Sequence, residues 1–359
     1  MTGTRSTRSQ LIQGAISIVV VVGIFWFVLP KLADFSEVWR TIRAMTGLEV
    51  GVLSVVAAIN LLTYLPVNMA VLPGLRAGEA FVANNASTAV ANTLPAGGAL
   101  GVGVNFAMYR SWGFDNASIT LALLVSGILN TFVKLGMPVV ALALLVILGE
   151  ASTALVAAAV LGVIVLAVAV GLFAGMLSSD RLADRIGTWL GRVATGIRRW
   201  LRRPPSVNPG ARAVEFRHQT IGLLASRGWY AAAATVVSHV TLYLVLLVAL
   251  RQVGVSDDEV SWAQVLAAFA FGRLLTALPI TPGGLGVIEL GYVAALSVGA
   301  DEATRAQIVA AVLVFRALTF LPPILIGAAC YVFWRRRSSW RHPIGARSSA
   351  KPESIASSG

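Results

Sequence analysis

An apolar segment in the last third of the chain is interrupted by two prolines and three glycines within eight residues. Pro279 and Pro282 remove backbone donors, so a helix cannot continue through them unbent. Gly283, Gly284 and Gly286 lower the cost of tight turning. Backbone opened at membrane depth is tolerated only where protein buries it or water reaches it. We therefore predict a broken membrane helix, and such a break is a candidate wall of a binding cavity.

The same pattern occurs earlier in the chain, in the string Leu-Pro-Ala-Gly-Gly-Ala-Leu-Gly that holds Pro95, Gly97, Gly98 and Gly101. On either side of each break, the apolar arms are shorter than the roughly 20 residues that a membrane crossing needs. Repeated, interrupted hydrophobic segments are typical of transporters built from two structural halves. We predict an all-α polytopic membrane protein with two inverted repeats, each containing a Gly/Pro-broken re-entrant helical hairpin.

The composition agrees with a membrane protein, since 57% of the residues are hydrophobic, 12% are charged and the mean hydropathy is +0.80. Soluble globular domains are much less apolar. The formal net charge of +12 would suit nucleic acid. The basic residues lie between apolar runs, however, where the positive-inside bias explains them, so we expect no nucleic-acid partner. The single cysteine, Cys330, excludes an internal disulfide framework.

Charge also orders the chain across the membrane, because basic loops stay in the cytoplasm. The first hairpin then enters from the cytoplasm and the second from outside. Both termini are cytoplasmic, in a multi-pass protein of the cell (plasma) membrane. The serine-rich tail is a poor core former and is expected to be disordered. The predicted parts are a cytoplasmic N-terminus at 1–10, a membrane domain at 11–334, its first half at 48–177, an arginine-rich cytoplasmic connection at 178–228, its second half at 229–334 and the disordered tail at 335–359.

The connection begins with an amphipathic helix at residues 180–203. Apolar side chains from Leu182 to Leu201 recur at helical spacing on one face, and arginines occupy much of the rest. Such a helix lies flat on an anionic leaflet, where each basic residue contributes about 1 kcal/mol. We expect this segment to anchor the connection on the membrane surface.

Three basic residues, Lys134, Arg273 and Arg316, and one carboxylate, Glu289, fall inside the predicted spans. Each charge costs roughly 2.5 to 3.5 kcal/mol there on insertion scales, so each should have a partner or a task. One interpretation is an ion pair of Glu289 with Arg316 or Arg273 that fixes the second hairpin. Another is that the excess positive charge binds a phosphate. A third is snorkelling of the long side chains to an interface.

Asparagines occur throughout the first hairpin, and they include Asn92 and Asn105. An amide facing lipid would be costly without a hydrogen-bond partner. These side chains therefore either bond neighbouring helices or form a polar cavity wall. Both interpretations place the asparagines toward the interior of the helix bundle.

The string Pro-Gly-Gly-Leu-Gly-Val-Ile-Glu at 282–289, followed by Gly-Ala-Asp at 299–301 and by Arg316 in an apolar helix, resembles a known family. That family is the transmembrane region of lysylphosphatidylglycerol synthases and their stand-alone flippase-like relatives. The resemblance implies a region that moves a lipid between leaflets, while aminoacyl transfer belongs to a separate soluble domain that we do not expect here. In the first repeat, relatives often have a Gly-Glu pair and an arginine where this chain has Val102 and Asn105.

These patterns favour a flippase-like protein that binds a membrane phospholipid or lipid-linked head group and translocates it. An alternative is a membrane-embedded subunit or enzyme of aminoacyl or glycosyl transfer, and another is a scaffold for a separate synthase or glycosyltransferase. Glu289 is the only deeply placed carboxylate that could act as a general base. The sequence has no Walker motif or metal-ligand spacing, so we expect neither an enzyme nor a cofactor. The candidate substrate-binding residues are Glu289, Arg316, Arg273, Lys134, Asn92 and Asn105.

Overall fold

A computed structural model describes the greater part of the chain, and helices dominate it. The described residues are 35–94, 97–150, 153–200, 208–276, 281–340, 342–343 and 345–347. These ranges contain no β-strand. Residues 1–34, with the predicted cytoplasmic N-terminus and first apolar span, lie outside them.

Eleven α-helices and two short 3₁₀ turns occur in the described ranges. The first six are α1 (Phe35–Ala44), α2 (Gly47–Val71), α3 (Ala77–Thr93), α4 (Gly97–Ser111), α5 (Asn116–Ile147) and α6 (Thr153–Ser178). They are followed by α7 (Asp180–Trp200), α8 (Pro209–Gln252), α9 (Trp262–Leu275), the 3₁₀ turn Pro282–Gly284, α10 (Val287–Leu296), α11 (Glu302–Arg336) and the 3₁₀ turn Ser338–Trp340.

Five helices are long and apolar enough to cross a membrane, namely α2, α5, residues 160–178 of α6, α8 and α11. Many of their apolar side chains are exposed, as a surface against lipid requires. Leu161 and Leu172 of α6 are 62% and 63% exposed, for example. Aqueous exposure of so many large apolar side chains would be unfavourable. The prediction of an all-α, multi-pass membrane protein is therefore confirmed.

Polar side chains in the loops fix where the helices begin, because the first N–H groups of a helix lack intrahelical partners. Thr46 starts α2 with a capping box, while Asp115 and Asp301 cap α5 and α11. Between α8 and α9, hydrogen bonds from the backbone and hydroxyl of Ser256 lower the pKa of the Glu259 carboxyl. These loops are thus held by their own polar groups.

Both Gly/Pro strings interrupt a helix. The first lies between α3 and α4 at residues 94–96, and the second lies between α9 and α10 at residues 276–286. In the second break Gly283, Gly284 and Gly286 have φ values of 59°, 71° and 81°, a region that other residues rarely adopt. The prolines of the predicted breaks are Pro282, which begins the 3₁₀ turn, and Pro95 and Pro279, which lie outside the described residues.

Glycines of the first string also allow α4 to pack closely against α3. A Cβ atom at Gly101 would lie 2.7 Å from the Ser87 carbonyl oxygen, and one at Gly97 would overlap the backbone of Ala91. Because Gly97 faces Ala91 and Gly101 faces Ser87, the two helices run antiparallel. Gly98, in the first turn of α4, has open space around it. Two of the three predicted glycines therefore act in helix packing.

Each hairpin packs against a long helix that is distant from it in the sequence. α3 of the first hairpin packs along α11, and α9 of the second hairpin packs along α5. The helices that precede the hairpins, α2 and α8, pack along each other. A Cβ atom at Gly327 of α11 would overlap the backbone of Asn85, so α3 and α11 approach closely. Each hairpin is thus braced by the long helix that follows the other hairpin.

The predicted connection at 178–228 contains more regular structure than an amphipathic helix alone. α8 begins at Pro209 and runs for 44 residues, so its first turns belong to this connection. α7 packs on that part of α8 through small residues, where Gly187 faces Ala213 and Gly191 faces Pro209. The connection is therefore largely a packed pair of helices.

The first part of the tail differs from the disorder predicted for 335–359. Arg347 Nη1 pairs with the buried carboxylate of Glu79 at 2.8 Å. The ring of Trp340 meets the ring of Trp112 edge-on, with 6.0 Å between centroids. These contacts hold Trp340 and Arg347 against the first hairpin, which composition alone does not reveal. The later residues of the tail lie outside the described ranges.

Candidate functional site

A cavity of about 720 Å³ lies among the two hairpins, α2, α5, α8 and α11. Ligand cavities in proteins commonly have volumes of about 300–1,000 Å³. Both hairpins contribute to its wall, so the cavity is built around the two helix breaks. The charged and amide side chains at the wall are Asn60, Asn68, Asn84, Asn92, Asn105, Asn130, Lys134, Arg273 and Arg316.

An ion pair between Glu289 and Arg316 joins α10 to α11 at the second break. Arg316 Nε donates to Glu289 Oε1 at 2.7 Å, and its Nη2 donates to the Gly283 carbonyl oxygen at 3.0 Å. The guanidinium lies 4.9 Å from the centroid of the Phe320 ring. The Glu289 side chain is 1% exposed and that of Arg316 is 14% exposed, so the arginine reaches the cavity and the carboxylate lies behind it.

Lys134 of α5 and Arg273 of α9 bring two more cations to the same cavity. Lys134 Nζ donates to Thr276 Oγ1 at 3.2 Å, and that hydroxyl donates to the Arg273 carbonyl oxygen at 2.6 Å. Arg273 Nε is buried without a hydrogen-bond partner in the described part of the chain. Among the described residues, neither cation has a carboxylate partner.

The asparagines divide into structural and unpaired groups. Asn60 is buried, and its amide donates to the Ser238 carbonyl oxygen at 2.9 Å, which joins α2 to α8. Asn105 Oδ1 is buried with no partner within the described ranges. The side chains of Asn92 and Asn130 likewise make no hydrogen bond to another described residue. Within the described residues, the cavity therefore has amide groups without hydrogen-bond partners as well as cations without carboxylate partners.

The structure brings five of the six predicted substrate-binding residues to one cavity, and it places the sixth, Glu289, behind the wall. The structure shows the ion pair of Glu289 with Arg316, while Arg273 has no carboxylate partner in the described part of the chain. Thr276 is absent from the prediction. The available signal is its position one helical turn after Arg273, which puts both on the same face of the helix. Its contact with Lys134 is set by packing between distant helices.

We expect Arg316→Gln to lower the free energy of unfolding more than Glu289→Gln does. Removing the arginine leaves a sealed carboxylate unpaired, at a cost of about 3–5 kcal/mol. Removing the glutamate leaves a cation that reaches the cavity, so the cost is smaller. The double substitution should recover part of the loss, because it removes the unpaired carboxylate but still lacks the bond to the Gly283 carbonyl oxygen. Thermal unfolding of the purified protein in detergent measures all three changes.

Arg305→Gln is the matched control, because Arg305 is also on α11 and donates to the Ala300 carbonyl oxygen at 3.3 Å, away from Glu289. Its effect should stay within about 0.5 kcal/mol. If the double variant loses as much stability as the two single losses added together, Glu289 and Arg316 are not energetically coupled.

Comparison with known protein families matches residues 14–327 to the lysylphosphatidylglycerol synthase TM region. The matched range includes both hairpins and the four charged residues described above, Lys134, Arg273, Glu289 and Arg316. No curated protein matches the chain. The match covers most of the sequence and agrees with the helical, multi-pass architecture. The chain therefore belongs to the lysylphosphatidylglycerol synthase transmembrane-region family.

Proposed function

We propose that this protein binds the head group of a membrane lipid in its cavity and translocates it between leaflets, as a flippase-like protein. The observation that supports this most is the meeting of two broken helices at a cavity with three cations at its wall. Intramembrane charges commonly mark substrate pathways. Broken helices commonly form the binding sites of transporters.

The exchange of helices between the halves supports a mechanism of alternating access. The first hairpin packs on α11 and the second packs on α5, so a shift of one half moves walls on both sides of the cavity. Transporters with inverted repeats expose a central site to each side in turn by such rocking. We infer that the cavity opens alternately to the two leaflets in this way.

We further propose that the hairpins are re-entrant and related by inversion, the first entering from the cytoplasm and the second from outside. The four arms have 17, 15, 14 and 10 residues. Each is shorter than the roughly 20 residues of a full crossing. The basic residues of the connection favour a cytoplasmic location for it. Both termini then lie in the cytoplasm, with the protein in the plasma membrane.

Glu289 is a poor candidate for a general base, because Arg316 holds its Oε1 and the side chain is 1% exposed. A base must reach the proton that it removes. We therefore propose that the chain is not itself an enzyme. A separate synthase or glycosyltransferase would then supply any modified lipid that this protein moves.

We also propose that α7 lies on an anionic leaflet. Its small residues pack on α8, whereas Leu182 and Trp189 are 40% and 57% exposed. Arg181 and Arg185 are exposed as well. An exposed apolar face beside a basic face is typical of helices that bind anionic membrane surfaces.

We expect the double variant Glu289→Gln, Arg316→Gln to fold but to translocate lipid about tenfold more slowly than the wild type. The two substitutions remove the bond from Arg316 to the Gly283 carbonyl oxygen, so the second break no longer holds Arg273 and Thr276 at the cavity as firmly as in the wild type. Dithionite quenching of a fluorescent phospholipid in reconstituted vesicles measures the rate, with Arg305→Gln as the control. A stable double variant with the wild-type rate would exclude a role for Arg316 in translocation.

The proposed orientation predicts which residues an impermeant thiol reagent reaches on intact cells. A cysteine in place of Asp257, in the loop between α8 and α9, should react from outside. A cysteine in place of Glu215, in the first turns of α8, should react only after permeabilisation. The natural cysteine, Cys330, is buried and gives little background. Labelling of the Glu215→Cys variant on intact cells would refute the inverted arrangement.

For α7, we expect a peptide of residues 180–203 to become helical on anionic vesicles and much less so on neutral ones. The difference should decrease as salt is raised, because screening weakens the attraction. Circular dichroism measures the helicity. A peptide with Arg181, Arg185 and Arg192 replaced by glutamine is the control and should lose the preference. Equal helicity of the natural peptide on both vesicles would leave apolar burial as its sole cause.

A further inference from the structure

The cavity wall has an uncompensated positive charge. Lys134, Arg273 and Arg316 lie at the wall, while no carboxylate lies there among the described residues. Glu289 is behind the wall and bonded to Arg316. Because Glu289 compensates Arg316, a cationic head group would meet two uncompensated like charges, Lys134 and Arg273, and find no partner, which is unfavourable away from bulk water.

The same wall presents donors that suit a phosphate. Arg273 Nε is buried with no partner in the described ranges, and a buried donor left without an acceptor is costly. Lys134 and the Arg273 backbone bond to the same Thr276 hydroxyl, so these cations belong to one region of the cavity. Phosphate oxygens accept several charge-assisted hydrogen bonds at once, which matches a lysine beside an arginine.

The unpaired amides add a second kind of recognition. Asn92, Asn105 and Asn130 line the cavity on α3, α4 and α5. Each amide offers two donors and one acceptor, so it can bind a hydroxyl in either role. A head group without hydroxyls would leave these amides unpaired once it displaced water. The first half thus presents neutral groups that match alcohols, beside the cations that match a phosphate.

We propose that the head group bound here is an anionic phosphate ester with several hydroxyls, and that aminoacylated, cationic head groups are rejected. The proposal rests on the proposed lipid-binding function and specifies its substrate class. The phosphate lies with Lys134 and Arg273, and the hydroxyls lie with Asn92, Asn105 and Asn130.

The test compares short-chain lipids that differ in one property each, by their dissociation constants for the purified full-length protein in neutral detergent. Phosphatidylglycerol has both features, phosphatidylpropanol has the same charge without the free hydroxyls, and lysyl-phosphatidylglycerol is cationic. Glycerol phosphate, without acyl chains, tests for a soluble ligand. We expect phosphatidylglycerol to bind about tenfold more tightly than either other lipid, because each comparison removes at least one hydrogen bond or charge contact.

Variants assign the two recognition elements. Lys134→Gln and Arg273→Gln should each weaken the binding of phosphatidylglycerol and of phosphatidylpropanol to the same extent, by about tenfold. Asn105→Leu and Asn130→Leu should weaken the binding of phosphatidylglycerol and leave the dissociation constant of phosphatidylpropanol nearly unchanged. Arg305→Gln removes the same charge outside the cavity and should change neither. The selectivity among the three lipids is measured with the wild-type protein alone, so a variant that fails to fold does not affect the main comparison.

Each outcome has a distinct meaning. Binding of lysyl-phosphatidylglycerol as tight as that of phosphatidylglycerol overturns the head-group class and leaves the proposed lipid-binding function standing. Binding of phosphatidylpropanol as tight as that of phosphatidylglycerol overturns the proposed recognition of hydroxyl groups by the asparagines. Glycerol phosphate that binds as tightly as the lipid, or the absence of binding by all three lipids, overturns the proposed function itself.

Discussion

The second helix break depends on Arg316, because one guanidinium bonds two groups that the membrane interior cannot solvate. Its Nη2 bonds the Gly283 carbonyl oxygen, which the break frees from a helix, and its Nε bonds the Glu289 carboxylate. Each unsatisfied backbone group would otherwise cost several kcal/mol in hydrocarbon. With the break braced in this way, α9 can end at Leu275 and place Arg273 and Thr276 at the cavity.

The first hairpin is held by different contacts. Backbone approach at Gly97 and Gly101 fixes α4 on α3 near the break. Its ion pair lies at the opposite end of α3, where Arg347 of the tail bonds Glu79. The tip of this hairpin carries no charge, and the hairpin presents Asn92 near its tip and Asn105 in the middle of α4 to the cavity. The difference in bracing explains how two broken helices give two chemically distinct walls.

The sequence predicts the helix breaks and the intramembrane charges because both depart from what an apolar membrane helix normally contains. A proline-glycine string inside an apolar run and a lone arginine in a membrane helix each need a structural reason. Thr276 and the docking of Arg347 do not follow from such rules. Each depends on which distant helices pack together, and a local pattern does not specify that. Similarly, Glu289 and Arg316 are predictable as candidates, but the choice of Arg316 over Arg273 as the partner is decided by tertiary geometry.

Lys134 and Arg273 cost stability because they remain unpaired by carboxylates in the described structure. A protein under selection for stability alone would pair them or replace them by apolar residues. A bound anion offsets that cost only in the state that contains it, so binding stabilises the loaded protein relative to the empty one. An internal carboxylate would compete with the ligand for the same cations. If the cavity binds an anion as we propose, the separation of Arg316, held by Glu289, from Lys134 and Arg273 would let the break stay fixed while the binding surface remains open to exchange.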